Sequence, residues 1–410
     1  VSAEDHAADR CAHTAAPAVD LPDFPVPSHD PRAVSDAIRP DARIALSSSR
    51  AMVLLRHVDV VAAARDPEVF SSAVSRFLQL PNGLDGEEHA AFRRLIEPYF
   101  TAERMAALEP GVREAARQVC AEVTSAAGVG TGAVGCDAVG ELGSRFAVRA
   151  MMRWLGWPAG LEPTLLEWMA DNQTATRSGR LDATADVARR YDEIIRSVLA
   201  PRRGRGGDAD GSRQDVTAEL MSDRALGRPL RDEELVSVLR NWTGGDLGSI
   251  ALSLGVVLHY LATHRVLQAR IRSGLTRREL TAIVDEILRI DDPFVANRRM
   301  TTCPVSRGGL QVAAGQRVVL NWTSANRDEE VFGDPDRFDP DGNAGNNLVY
   351  GTGPHVCPGR PLATLELCVA VEEIVAAFAD ITLDPVLRPE RSITPNGGFS
   401  SVPVVLTPAR

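Results

Sequence analysis

The chain contains no lysine; all 45 of its basic residues are arginine. That usage reads as coding bias rather than chemistry. The arginines are outnumbered by 55 acidic residues, for a net charge of −10. A balance of that sign argues against a nucleic-acid binder, which presents a basic surface to phosphates. Cysteine is scarce and scattered, at Cys11, Cys120, Cys136, Cys303, Cys357 and Cys368, with no Cys-x-x-Cys pair. The clustered ligands of a structural zinc site are missing. So is the small cysteine-dense chain of a disulfide framework, and a reducing cytosol is the expected compartment. No uncharged apolar window of about 18 residues is present, so no membrane span is expected. The opening "VSAEDHAADRCAH" lacks the basic-then-apolar pattern of a secretory signal. No internal repeat is visible.

What is present is a long chain, 410 residues, with 44% apolar residues. That is enough for a sizeable core in one large domain or two. Residues 1–40, rich in Pro, Asp and Ala, read as an extended arm. "ARIALSSSRAMVLLRH" predicts two short strands. "HVDVVAAARDP" predicts a helix stopped at Pro67. Helical patterning runs from His89 to Thr124 with breaks at Pro98 and Pro110, and returns over 139–156, 161–175 and 183–200. The polar "PRRGRGGDADGSR" at 201–213 reads as a long loop within one domain. A long helix is predicted from about Asp232 to His264 and another from Arg277 to Ile290. Short strands follow over 294–322, a Pro/Asp/Gly-rich meander over 332–345, and an amphipathic helix in "PLATLELCVAVEEIVAAFAD". The chain is mainly α with minor β.

The chemistry centres on "YGTGPHVCPG", Tyr350 to Gly359. Gly351, Gly353 and Gly359 permit backbone conformations closed to other residues, or close approach to a flat ligand. Pro354 and Pro358 stiffen the loop. A helix is predicted to start near Pro361, which sets Cys357 close to the positive end of a helix dipole, where a thiolate is stabilised. A lone soft thiolate suits a cofactor that supplies its remaining ligands, and haem iron is the leading case. A buried loop cysteine is the competing reading, and the stretch alone leaves the two near even.

The stretch resembles the haem-binding loop of the cytochrome P450 family, an aromatic followed by Gly-x-Gly-x-His-x-Cys-x-Gly. The family usually has Phe where this chain has Tyr350. The resemblance implies Cys357 as axial ligand of haem b iron. It extends over roughly residues 40–405. "EILR" supplies Glu286 and Arg289, and "FGDPDRFDP" resembles the meander; Arg337 is expected to join both in a buried charge network bracing the haem loop. "DGEEHAAFRRLIEPYFT" resembles the helix crossing one haem face. By the same resemblance His89, Arg93, Arg299 and His355 bind the haem propionates. The implied architecture is a cytochrome P450 fold: a triangular, helix-rich domain over 41–410 with small sheets, the haem between the long distal helix and the Cys loop.

The distal helix departs from the family, which carries Ala/Gly-Gly-x-acid-Thr where this chain reads "NWTGGDLGSIALS". Counting from both flanks puts Ser249 in the alcohol position and Gly248 in the acid position. Matching the glycines makes Leu247 the acid and Gly248 the alcohol, and a third register makes Asp246 the acid and leaves Leu247 for the alcohol. None supplies both groups. Asp246, one turn before Ser249, is kept as a proton-handling residue. Gly244, Gly245 and Gly248 suggest a locally opened helix. Position matching assigns the substrate pocket to Asn241, Trp242, Gly245, Val295, Ala296, Asn297, Phe399, Phe77 and Leu78.

The resemblance implies a monomeric cytoplasmic oxidase of a small aromatic or cyclic natural product in secondary metabolism, acting by hydroxylation or by radical coupling or desaturation. With no flavin or nucleotide-binding domain of its own, the chain is expected to take electrons from a ferredoxin and its reductase. A peroxide-driven peroxygenase and a non-catalytic haem ligand-binding protein are the alternatives.

Overall fold

The structure is a computed structural model that describes residues 22–25, 30–126, 132–203, 215–307, 310–392 and 395–409. Inter-residue contacts divide the chain into two compact units, each discontinuous in sequence. One comprises Val1–Phe92, Leu288–Cys357 and Ile393–Gly397; the other comprises Arg93–Ile287, Pro358–Ser392 and Gly398–Arg410.

The first unit is built on a six-stranded sheet. Its strand order is Asp23–Phe24, Ile44–Ser47, Met52–Leu54, Arg317–Asn321, Ala296–Thr301 and Phe70–Ser71. Met52 pairs in parallel with Val318, and Ala296 opposes Asn321 across an antiparallel ladder. Met52, Val53 and Leu54 are all buried. Alternating residues serve the two faces: Met52 and Leu54 pack with Val60, Phe70, Val318 and Trp322, while Val53 packs with Ala45 and Leu55. A strand covered on both sides reads as a continuous apolar run, as "MVLL" does. Residues 31–38, expected as part of an extended arm, form the helix Pro31–Ile38 instead. Asp30 caps it by accepting from the Arg32 amide, and Pro31 at its first position has φ preset for the helix.

The second unit is helical, with one three-stranded sheet in the order Phe378–Leu383, Pro403–Pro408, Val134–Asp137. Its centre is the long helix Asp232–Thr263, close to its sequence-predicted span. Among the described residues it is the one helix long and apolar enough to cross a membrane, but most of its apolar window is buried in the protein. A segment of π-helix, Ala138–Ser144, lies against it. The approach depends on glycine: a methyl at Gly255 would sit 2.4 Å from Val139 Cγ2, and one at Gly143 would sit 2.8 Å from the Ala251 carbonyl oxygen. The helix starts where Glu234 accepts from the Arg231 amide at 2.8 Å.

Two expectations fail locally. Pro110 does not break its helix; Ala102–Ala126 runs through it. The ring removes one N–H, but Val112, Ala115, Ala116 and Val119 are buried just beyond, and packing holds the axis. The long helix is likewise unbroken at Gly244, Gly245 and Gly248. Residues 204–213 of the expected loop lie outside the described residues.

Candidate active site

In the first unit the Cys loop is fixed by its own backbone. Cys357 N–H donates to the Tyr350 carbonyl at 2.9 Å, Val356 N–H to Gly353 at 3.1 Å and Gly351 N–H to Leu348 at 2.8 Å. Gly353 has φ +76°, and a methyl there would lie 2.6 Å from the Ala64 carbonyl oxygen, so both conformation and space demand glycine. Cys357 is exposed and in no disulfide, whereas Cys120, Cys136 and Cys368 are reduced and buried and Cys303 is disulfide-bonded. Burial pushes the Cys120 and Cys136 thiols up to about 12. Chain order puts Cys357 three residues before Arg360, where the helix Arg360–Ala377 begins. A helix N-terminus favours the thiolate.

Around the loop the unit gathers His89, His355, Arg299 and an unforeseen residue, Asp85. The His355 ring centroid is 4.1 Å from that of His89. His355 Nε2 lies 3.0 Å from Ser72 Oγ and 3.1 Å from Asp85 Oδ1. Asp85 also accepts from Ser71 Oγ at 2.6 Å and from the Ser72 amide at 2.9 Å. Burial would raise the Asp85 carboxyl, but the His355, Ser71 and Ser72 hydrogen bonds hold it below its ordinary value. Arg299 is buried and forms no ion pair among the described residues; burial lowers its pKa against the opposing charge of Asp85. Its guanidinium gives one N–H to the Arg298 carbonyl at 3.0 Å. A buried cation with donors to spare fits an anionic cofactor group. Arg93, expected in the same role, pairs with Glu97 one turn along its helix, with Nη2 2.8 Å from Oε1.

The expected bracing network is corrected in one member. Glu286 and Arg289 are buried as anticipated. Arg289 donates to the carbonyls of Asn326 at 2.8 Å, Pro335 at 3.2 Å and Arg337 at 3.2 Å. The Arg337 side chain itself is 72% exposed and lies 3.9 Å from Asp339. The meander therefore offers Arg289 its backbone, not the Arg337 guanidinium. A different arginine is buried beside it: Arg327, paired with Asp36 and Asp336 at 2.7 and 2.8 Å.

In the second unit the long helix presents Asp246 and Ser249. Ser249 Oγ donates back to the Gly245 carbonyl, which leaves its oxygen as an acceptor. Asp246 faces Glu366, a fully buried carboxyl from the helix Arg360–Ala377. No amide, hydroxyl or cation among the described residues satisfies Asp246 Oδ2 or either Glu366 oxygen. Burial raises both groups. Asp246 reaches about 7, with Glu366 opposing the rise, and the charge of Asp246 drives Glu366 higher still. The pair thus holds a proton near neutrality. Glu366 was missed because it stands in "TLELCVAVEE", where an acid reads as a solvated face; its signal was an acid flanked by buried apolar positions.

The expected pocket residues differ in exposure and partners. Trp242 is buried in an aromatic cluster with Tyr99, Phe100 and Trp154, at ring distances of 5.3, 5.6 and 5.0 Å. Phe399 is buried, 4.3 Å from the His259 ring and under the Arg391 guanidinium at 4.0 Å. Asn241 Nδ2 donates to the Ser237 carbonyl at 3.1 Å. Phe77 and Leu78 are exposed, 71% and 42%. Val295 is buried, Ala296 half-buried and Gly245 and Asn297 exposed. Trp322 Nε1 donates to Asn297 Oδ1 at 2.6 Å, which turns the amide N–H₂ outward as a donor. A cavity of about 200 Å³ lined by residues such as Ile271, Leu280 and Val375 includes none of these positions.

Among the described residues no three His, Cys, Asp or Glu side chains converge on a metal site. A metal at Cys357 must bring its other ligands with it. A lone exposed thiol on a rigid loop fits a haem-thiolate enzyme, whose cofactor brings the remaining iron ligands. The sequence model of the Cytochrome P450 family matches residues 180–403, and the chain belongs to that family. It is a cytochrome P450 monooxygenase, with the haem cofactor that membership implies. It is 30% identical over 345 residues to erythromycin C-12 hydroxylase of Saccharopolyspora erythraea, covering 81% of this chain and 83% of the relative. Cyclomarin C epoxidase CymV of Salinispora arenicola is 29% identical, covering 81% and 85%. Among solved structures, the open cytochrome P450 Eryk from S. erythraea superposes with TM-score 0.80 at 27% identity, covering 92% of this chain and 96% of that one.

Proposed function

We propose that residues 41–410 act as one haem-thiolate domain that oxidises a bulky, ring-containing natural product, by hydroxylation or by radical coupling or desaturation. The observation that carries this reading is Cys357: among the described cysteines it alone is exposed, on a loop whose backbone is fixed by its own hydrogen bonds. The names of the two relatives support the substrate class, one acting on erythromycin and the other on cyclomarin C. A cytoplasmic setting and electrons from a ferredoxin and its reductase follow from the likeness to bacterial P450s.

When bound, haem supplies dioxygen activation and one-electron chemistry. The chain's own residues supply binding and protons. His355, His89 and Arg299 would hold the cofactor's carboxylates, with Asp85 holding His355 through Nε2. Asp246 and Glu366 keep a proton in a buried place, and Ser249 Oγ, its proton given to the Gly245 carbonyl, keeps its oxygen as an acceptor on the same helix. The outward Asn297 amide offers a hydrogen bond to a substrate oxygen.

Asp246→Asn is expected to slow turnover on the order of 10²-fold, while the reduced carbon-monoxide spectrum stays unchanged. Glu366→Gln is expected to follow it. Unchanged turnover in Asp246→Asn overturns the proton role. The function itself is tested by spectral titration with macrolide and cyclic-peptide ligands, then by product formation with a surrogate ferredoxin system and NADPH against peroxide alone. Product only with peroxide replaces the reading with a peroxygenase; no product in either replaces it with a ligand-binding protein.

A further inference from the structure

Asn326 is fully buried and ties together three stretches of the first unit. It ends the short helix Trp322–Ala325, with its own N–H given to the Trp322 carbonyl at 2.8 Å. Its backbone carbonyl takes the Arg289 guanidinium at 2.8 Å. Its Oδ1 accepts the Leu348 N–H at 2.8 Å, 22 residues further along the chain. Its Nδ2 donates to Asp292 Oδ2 at 3.0 Å, 34 residues back. The other Asp292 oxygen accepts the Phe294 N–H at 2.7 Å. A backbone N–H can only donate, so the amide oxygen must face Leu348 and the amide NH₂ must face Asp292.

The Cys loop hangs from Leu348. The Leu348 carbonyl accepts the Gly351 N–H at 2.8 Å, and the Tyr350 carbonyl accepts the Cys357 N–H at 2.9 Å. The link from Asp292 through Asn326 to Leu348 is therefore continuous with the bonds that close the loop around Cys357. The Leu348 side chain packs in the same core cluster as Trp322 and Ala325. Apolar burial is non-directional; the bond to Asn326 fixes how the Leu348 peptide is turned.

We propose that Asn326 is a positioning residue for the thiolate ligand: oriented by Asp292, it holds the Leu348 peptide so that the loop presents Cys357 at one fixed place. The inference rests on Cys357 being the iron ligand. The position needs an acceptor at one end and a donor at the other. A leucine of similar size would strand the Leu348 N–H, and an aspartate would set its carboxyl against that of Asp292.

The test exchanges the two side chains. Asn326→Asp keeps the acceptor for Leu348 but sets carboxyl against carboxyl. Asp292→Asn sets donor against donor, and a flip of the Asn326 amide only moves that conflict to Leu348. In the double variant Asn326→Asp/Asp292→Asn every bond has a donor and an acceptor again. The new carboxyl accepts from Leu348 and from the new amide, whose oxygen accepts from Phe294.

Two readouts are taken on the haem-loaded full chain: the red-shifted Soret band of the reduced, carbon-monoxide-bound form, and hydrogen exchange of the peptide spanning residues 348–357. Each single variant is expected to lose most of the red-shifted band to an unshifted one. Its loop is expected to exchange roughly tenfold faster, equivalent to about 1.4 kcal/mol of local protection. The double variant is expected to recover both. Val53→Ala, buried in the separate cluster with Ala45 and Leu55, lowers stability without touching the link and is expected to keep the band. Single variants that keep the band, a double variant no better than they are, or equal loss in Val53→Ala overturns the proposal. Where a single variant does not fold, the double variant decides: a folded chain with wild-type band and exchange supports the proposal, and an unfolded one overturns it. Should Cys357→Ala keep its band, the ligand role fails, while the exchange of the loop still decides whether Asn326 holds it.

Discussion

Replacing Cys357 by alanine is expected to abolish the red-shifted Soret band of the reduced, carbon-monoxide-bound protein, and all oxidation with it. The expectation follows from a comparison within the chain. Iron takes the thiolate, not the thiol, so a ligand cysteine must be both reachable and willing to ionise. Cys120 and Cys136 are buried and pushed up to about 12, and burial raises Cys368 as well. Cys357 is exposed and stands in the chain three residues ahead of an 18-residue helix. Cys303 is held in a disulfide, so none of the other described cysteines offers a reachable thiolate. Cys368→Ala therefore serves as the control and is expected to leave the band in place. A band that survives in Cys357→Ala transfers the ligand role elsewhere.

The second large effect belongs to Arg289. Its side chain is fully buried, and removing it strands the carbonyls of Asn326, Pro335 and Arg337 without their donors. It also removes the cation from over the Phe332 ring, 4.6 Å away. Deleting one partner from such a buried network costs about 3–5 kcal/mol, so Arg289→Ala is expected to lose most of the stability of a marginal protein. Arg337→Ala, at an exposed side chain, is expected to stay within about 0.5 kcal/mol of wild type. Denaturant unfolding of both variants checks the pair. Equal losses would return the Arg337 guanidinium to the network from which the geometry removes it.

That contrast shows where the sequence was legible. The Cys loop, the long helix and the helix Arg277–Ile290 stand out because glycine positions and long apolar periodicity are local signals. Which group of a residue does the work is not local. Spacing placed Arg337 in the network, and its carbonyl is there, but nothing in "FGDPDRFDP" says that the guanidinium points to water. Trp242 and Phe399 look alike in sequence whether they line a pocket or close a core; their ring partners, Trp154 and His259, stand far along the chain and carry no local signal. The helix Pro31–Ile38 was hidden by a composition typical of an arm, although Asp30 followed by Pro31 is a helix start. Asp85 and Glu366 carry no motif. Each is defined by what faces it after folding.

The Asp246–Glu366 pair also bears on how the chain folds in different buffers. Asp246 has a folded pKa of about 7 against an ordinary 3.8. Between those pH values the folded chain keeps a proton that the unfolded chain releases, so folding is a proton-uptake reaction. The Asp246 contribution to stability therefore falls as pH rises from about 4 to about 7, and Glu366, also raised by burial, works in the same sense. Asp85 and Glu234, held below their ordinary values, work in the opposite sense and lose their contribution as pH falls. Unfolding enthalpies in buffers of different ionisation heat should reveal the absorbed proton, and Asp246→Asn should lose it. The proton store inside the helical unit is thus carried at the expense of fold stability in neutral water.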